Sequence, residues 1–507
     1  MFARLYAAAL VGVQAHLVSC EVDIAPGLPR CVVVGLPDAA VHEAVERVWA
    51  ACHNSGFQLP LAKVRVNLAP ADLRKTGPRF DLAMALAILA AHQQGQLQPS
   101  HLEGWLALGE LAMDGGLRPV RGVILSLLAA KGLGITKILL PRENWAEARL
   151  IEGLELYPLD TLAQGIALLG GSEFPPALNL PPKPLGLEPA PAAPQLSEDL
   201  AWVKGQLAAR RGLEICAAGG HHMLMLGSPG SGKTMLAKCL PGIMPPLPAA
   251  EALEVTAIHT AKRRGPGELL LQPPFRTPTS NISLAGLVGS FEPGEVTLAH
   301  RGVLFMDEFP EFRRDCLEAL RAPLERGEVE IARAQLHVRY PCRFTLIAAM
   351  NPCPCGYWGD GQRECQCRPS QRLRYFNRLS GPLLDRIDLQ LHVARPPLEE
   401  LLEEGRGESS AAVAQRVAKA LAIQRERGVR NAFMSPPQTR RYCPLDQESR
   451  RYLSHFGQRQ GLSGRVKDRL LRTARTIADL AQRSRIELGD LAQALEFRAL
   501  DRFIALA

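Results

Sequence analysis

The run Gly227-Ser228-Pro229-Gly230-Ser231-Gly232-Lys233-Thr234 fits the phosphate-loop pattern G-x-x-x-x-G-K-[ST] at every defined position. Apolar Met223-Leu224-Met225-Leu226 precedes it and predicts a buried strand; Met235-Leu236-Ala237-Lys238 follows and predicts the opening of a helix. Glycines let the backbone wrap a phosphate chain, while the helix turns its free N–H groups and positive dipole end toward the same charge. Gly227 through Gly232 are therefore expected to cradle the phosphates of ATP. Lys233 is expected to reach the terminal phosphates, and the Thr234 hydroxyl to ligate Mg2+.

Downstream, Gly302-Val303-Leu304-Phe305-Met306-Asp307-Glu308 places two carboxylates at the end of an apolar strand. With a phosphate loop in the same chain, Asp307 is expected to hold the magnesium and Glu308 to polarise the attacking water. Phe344 to Met350 predicts a further strand, ending at Asn351, and Ser380-Gly381-Pro382-Leu383-Leu384-Asp385-Arg386-Ile387-Asp388 offers Arg386. The order of these motifs resembles AAA+ ATPases, in which an amide at the place of Asn351 orients the lytic water. An arginine in the place of Arg386 reaches the γ-phosphate of the adjacent subunit in such rings, unless it is paired locally.

The 507 residues, 47% of them hydrophobic, suffice for two to four domains with cores of their own. No apolar run approaches the roughly 18 to 20 residues of a membrane span, and Met1 to Leu10 lacks an export signal. A cytoplasmic protein without a membrane partner is the expectation. The net charge of +8 is uneven: Lys and Arg outnumber Asp and Glu by 26 to 16 from Arg368 onward, against 33 to 35 before it. A basic final third suits a polyanion such as DNA, or merely solvated helix faces.

Twelve cysteines in such a chain are expected as thiols, and four form two C-x-C pairs, Cys353/Cys355 and Cys365/Cys367. Their thiolates could close a structural Zn2+ site, with reduced loop cysteines or an adventitious metal site as the alternatives. Arg363, Arg368, Arg372 and Arg374 around that loop could face a nucleic acid backbone. Between Asp307 and Asn351, the alternation in Glu328 to Val338 predicts a hairpin turning near Arg333, a candidate phosphate contact or an ordinary exposed arginine.

Proline density marks residues 171–196 as an extended linker. Residues 1–170 before it alternate strands such as Cys31 to Gly35 and Val64 to Leu68 with amphipathic helices expected over Asp81 to Ala91 and Leu125 to Lys131. Gly35-Leu36-Pro37-Asp38, Asn67 to Pro78 and Phe80-Asp81-Leu82 resemble the Lon-protease-like domain with its ribosomal S5-like α+β fold. Protease activity is not expected, because Gly77-Pro78 is followed by Arg79 where a Lon protease has its serine, and Gly122 to Ala130 lacks a lysine.

The whole chain is similar to the ComM/YifB family of magnesium-chelatase-like AAA+ ATPases. The marks are Pro274-Phe275-Arg276, Pro293-Gly294-Glu295, Leu298 to Glu308, Ala348 to Gly356, the Arg386 segment and Arg475 to Leu480. Pro278-Thr279-Ser280 replaces an expected Pro-His-His, and Gly289-Ser290 shortens a glycine run. The resemblance implies an α/β P-loop AAA+ core over 197–402 with the cysteine loop at 353–367, and a helical lid over 403–507. It also implies a hexameric homo-oligomer, and helicase or branch-migration activity on DNA. By it, Leu462-Ser463-Gly464-Arg465 opens the lid's sensor helix, with Arg465 a second phosphate-sensing arginine. A chelatase-type subunit driving metal insertion, and a protein-remodelling module, stand as the other two readings.

Overall fold

The computed structural model describes residues 1–171, 198–262, 269–333, 336–361, 363–397, 399, 407–460 and 463–498. The expected linker thus lies largely, and residues 403–406 at the start of the expected lid wholly, outside the described residues.

The first part is built on a mixed seven-stranded sheet. Its strands are β1 (Phe2–Val11), β2 (Gln14–Ala25), β3 (Arg30–Val34), β4 (Lys63–Ala69), β5 (Trp105–Ala107), β8 (Lys137–Pro141) and β9 (Glu155–Leu159), in the order β3-β4-β2-β1-β5-β8-β9; β6 (Glu110–Leu111) and β7 (Leu117–Arg118) pair separately. β1 with β2 and β2 with β4 run antiparallel, while the remaining pairs of the large sheet are parallel.

One expectation is corrected here: the helix Asp81–Ala91 is not amphipathic, since every one of its residues is buried. Its sequence, DLAMALAILAA, is apolar on all sides after the first residue, as a helix enclosed by its domain requires. Asp81 is matched by Arg47, whose Nε donates to Oδ2 at 2.8 Å, yet burial pushes its carboxyl up to about 6. The second expected helix runs over Val123–Gly132.

The second part holds a parallel five-stranded sheet of β10 (Met223–Leu226), β11 (Phe275–Arg276), β12 (Val303–Met306), β15 (Thr345–Met350) and β16 (Leu389–His392), in the order β11-β12-β15-β10-β16. β10, β12 and β15 are buried at every residue, the pattern of parallel strands covered on both faces. The arrangement is consistent with a P-loop AAA+ core. β13 (Glu328–Arg333) and β14 (Leu336–Pro341) form the antiparallel hairpin anticipated between Asp307 and Asn351.

The family-marking segments meet in this core. The Arg276 guanidinium grips Glu295 at 2.7 and 3.0 Å, and Val303 donates its N–H to the Pro274 carbonyl at 2.8 Å. Gly302 lies so close to that same carbonyl that a Cβ would collide with it.

From Ser410 to Glu496 the described chain is helical apart from short connections, with its longest helices at Ser410–Glu426, Gln447–Gln460 and Gly464–Leu480. The first and last of these helices meet at Asp479, fully buried, which accepts from both terminal nitrogens of Arg427 at 2.6 Å, from Asn431 at 2.7 Å and from Arg475 Nε at 3.1 Å. Among the described residues no helix is long and apolar enough to cross a membrane.

Removing one member of a buried, fully bonded charge cluster strands the others. Asp479→Ala is expected to destabilise this helical segment by about 3–5 kcal/mol, read as a lower denaturant midpoint; an unchanged midpoint would show that the cluster contributes nothing net.

Candidate nucleotide site and cysteine cluster

The site lies at the carboxyl ends of the parallel strands. β10 comes first in the chain but sits between β15 and β16, a place where strand order switches and crevices open in α/β sheets. The loop from Gly227 to Gly232 leaves β10 there and delivers Lys233 as the first residue of the helix Lys233–Ile243. Gly230 and Gly232 hold φ of 78° and 89°, a left-handed backbone that side chains resist.

Lys233 is folded back into its own loop. Its Nζ donates to the carbonyls of Gly227 (2.6 Å) and Ser228 (3.0 Å) and to Asn351 Oδ1 (3.4 Å). Burial pulls its pKa down to about 8, with nearby Asp307 opposing. The Thr234 hydroxyl donates to Asp307 Oδ2 at 2.8 Å, so a hydroxyl and a carboxylate suited to a hard divalent cation are already adjacent. Glu308 is exposed, and its φ of 52° is a strained conformation for a residue with a side chain, of the kind that gathers at functional sites. Lys233, Thr234, Asp307 and Asn351 thus form one connected set, with Glu308 the next residue along the chain.

Arg386 and Arg465 form another. Arg386 is buried, donating to the Pro382 carbonyl at 2.6 Å and to the Glu325 carboxylate, and Glu325 is held below the usual carboxylate range first by Arg386 and also by Arg465 and Arg469. The local partner of Arg386 is thus Glu325, from a distant part of the chain. Arg465 is exposed in the first turn of the helix Gly464–Leu480.

Other participants were not apparent from sequence. Arg395 donates to the Pro229 carbonyl at 2.8 Å and Gln206 to the Ser231 carbonyl at 3.2 Å, contacts between segments far apart in the chain with no motif to announce them. Arg333 lies at the end of β13, across from Leu336 of β14.

The four predicted cysteines converge. Cys353 and Cys355 Sγ are 3.3 Å apart, Cys365 Sγ is 3.6 Å from each, and all four sulfurs lie within 4.8 Å of one another. Tetrahedral zinc with Zn–S bonds of about 2.3 Å sets sulfurs about 3.8 Å apart, so the donor set fits that ion. Of the other eight cysteines seven are buried and Cys31 half-buried.

In the N-terminal part the segments around Asp38 and Gly77 come together: Asp38 Oδ2 accepts from the Gly77 N–H at 3.2 Å, and the Asp38 N–H donates to the Lys75 carbonyl at 3.0 Å. Arg79 is buried, with Nη2 donating to the Arg121 carbonyl at 2.8 Å and to Ser126 Oγ at 3.3 Å.

A triphosphate would restore the charge of Lys233. Because the free-state pKa is about 8, nucleotide binding at pH 8 is expected to take up about half a proton per site, falling toward none near pH 6. Calorimetry in buffers of differing ionisation enthalpy measures this; no uptake at pH 8 in the wild type, or undiminished uptake in Lys233→Met, would contradict it.

Comparison with known proteins agrees with this geometry. Residues 199–401 match the family described as magnesium chelatase, subunit ChlI, residues 20–144 the subunit ChlI of Mg-chelatase, and residues 407–498 its C-terminal region. The chain is 44% identical to the uncharacterized protein YifB of Salmonella typhimurium, over 99% of this chain and 98% of that one. It is 41% identical to the competence protein ComM of Haemophilus influenzae, again over 99% and 98%. The magnesium-chelatase 38 kDa subunit of Rhodobacter capsulatus is 25% identical over 34% of this chain and 49% of its own. With a phosphate loop, an adjoining Asp307 and near-complete coverage of the YifB and ComM relatives, the chain belongs to the ComM/YifB family of magnesium-chelatase-like AAA+ proteins.

Proposed function

We propose that this protein is a ring-shaped, ATP-driven DNA motor of the cytoplasm, a helicase or branch-migration enzyme acting in recombination or uptake of DNA. The observation that carries the reading is the hairpin β13–β14, inserted between the strand ending at Asp307 and the strand ending at Asn351. Motion at the nucleotide passes directly into such a hairpin, and Arg333 at its end can meet a phosphate backbone. The basic final third and the 41% identity to a competence protein support the same reading.

In this scheme Lys233 binds the terminal phosphates, Thr234 and Asp307 hold Mg2+, Glu308 polarises water and Asn351 orients it. Mg2+ supplies charge neutralisation on the phosphate oxygens when bound. Arg386 serves the neighbouring protomer's site in a hexamer, which requires its pair with Glu325 to open, and Arg465 senses phosphate from the helical lid at 403–507. The Lon-like, S5-fold domain at 1–170 is joined by the linker at 171–196 to the core at 197–402. It is a structural or interaction domain and non-proteolytic, because the buried cation of Arg79 stands where a serine nucleophile would be needed. Cys353, Cys355, Cys365 and Cys367 hold a structural Zn2+.

The rival is a chelatase-type subunit that drives metal insertion without DNA, which the 25% identity to a magnesium-chelatase subunit favours. Single-stranded or branched DNA is expected to stimulate ATP turnover at low salt, and Arg333→Ala to lower DNA affinity and reduce its salt slope by about one. Turnover indifferent to every DNA tested would transfer the reading to the chelatase class. Arg386→Ala is expected to retain nucleotide binding and lose hydrolysis by about 10³-fold or more; full-rate turnover by that variant, or by isolated monomers, would rule out the shared site.

A further inference from the structure

The cysteine loop forms a wall of the nucleotide site. It starts at the end of β15, where Gly227 of the phosphate loop donates its N–H to the Met350 carbonyl at 3.2 Å. Two residues past Asn351 comes Cys353, and the Gly356 N–H donates to the Cys353 carbonyl at 3.0 Å, closing a turn around the first thiol pair. Gly356 holds a φ of 86°, and a Cβ there would lie 2.8 Å from Cγ and Cδ of Pro229 and 3.9 Å from Cγ of Asn351. From another direction Arg395 donates to the Pro229 carbonyl at 2.8 Å. Pro229, third residue of the phosphate loop, is therefore held between Arg395 and the turn at Gly356.

The far end of the cysteine loop returns to the same place. Cys367 is followed at once by Arg368, the N-cap of the helix Pro369–Phe376, whose Tyr375 hydroxyl is bonded by the Asn351 backbone. Trp358 of the loop meets Phe376 edge-on at 6.0 Å between ring centroids, with the Arg372 guanidinium 4.7 Å from the Trp358 ring centre. Between these anchors Gly356, Gly359 and Gly361 all take positive φ, and the described residues of 351–368 contain neither strand nor helix. The Gly356 bond to Cys353, the Trp358 packing and the four gathered sulfurs together fix the turn that touches Pro229.

We propose that a zinc ion on Cys353, Cys355, Cys365 and Cys367 positions the phosphate loop, so that its binding sets the affinity of the site for nucleotide. With the thiolates gathered, Gly356 rests on Pro229, and Asn351 stays within reach of Lys233. With them released, the turn at Gly356 leaves Pro229, which keeps only the hydrogen bond from Arg395 of the two contacts described above. The ion's identity rests on the zinc reading given above; the contact of Gly356 with Pro229 does not.

The test uses the full-length protein, its zinc content measured by elemental analysis and its affinity by titration with a fluorescent ATP analogue. Wild type is expected to carry one zinc per chain. The double variant Cys365→Ser/Cys367→Ser is expected to lose the zinc and bind the analogue about tenfold or more weakly, with an unchanged circular dichroism spectrum and thermal midpoint for the rest of the chain. Gly356→Ala is expected to weaken binding comparably while keeping its zinc. Stripping wild type with a chelator should reproduce the loss, and zinc, but not magnesium, should reverse it. Wild-type affinity in the zinc-free double variant would overturn the proposal, and so would wild-type affinity in zinc-loaded Gly356→Ala. Wild type that binds nucleotide tightly with no zinc would overturn the zinc reading and the metal dependence together. The metal measurement thus judges the ion, and affinity at full zinc content judges the positioning.

Discussion

Leu226 and Met350 end adjacent parallel strands at the same level, and the rest of the site depends on that register. Because the strands stop together, Gly227 can bond the Met350 carbonyl as the phosphate loop departs, and Asn351 emerges beside the lysine that closes that loop. β12 stops nearby on the far side of β15, Met306 opposite Ala348, which brings Asp307 to the Thr234 hydroxyl. A slip by one residue would turn the side chains of these strands to the wrong face and part all four groups. The apolar residues that fill the strands are thus responsible for the placement of the polar ones that follow them.

A second set of constraints ties the helical C-terminal segment to this sheet. Arg469 donates to Asp388 Oδ1 at 3.0 Å and to the Arg386 carbonyl at 2.6 Å, while His221 joins Asp388 to Thr476 on the same helix as Arg469. Burial would raise the Asp388 carboxyl, yet Arg469 and the two histidines outweigh it and hold it far below the usual range. Burial pushes His222 down to about 4, which leaves a neutral ring whose Nδ1 accepts the Leu346 N–H at 3.1 Å. The backbone of Arg386 is therefore held by the helix that carries Arg465, although the two arginines are distant in sequence.

Legibility followed the range of the interaction. The phosphate loop, the strands ending at Asp307 and Asn351, and the hairpin near Arg333 were all readable, because each is specified by residues adjacent in the chain. The cysteine cluster was readable as four converging thiols, since two short pairs on one loop have few ways to meet. Its contact with Pro229 was not, because it joins loops more than a hundred residues apart through a glycine whose only signal is a missing side chain. Glu325 as the partner of Arg386 was hidden for the same reason. The full burial of the helix Asp81–Ala91 is legible in its own all-apolar run, which the expectation of an amphipathic face there overlooks.

Gly12, in the turn between β1 and β2, presses against Val338 and the Tyr340 ring at the base of the hairpin, and Val13 shares a buried apolar cluster with both. Tyr340 has no solvent exposure, and its hydroxyl donates to the Ser290 carbonyl at 2.8 Å. The first sheet and the hairpin of the second part therefore share a buried apolar contact, although the proline-rich sequence stands between them in the chain. A truncation there would strip the cover from the foot of the hairpin and open that cluster to water. The amino-terminal module is in this sense part of the support of the core it covers.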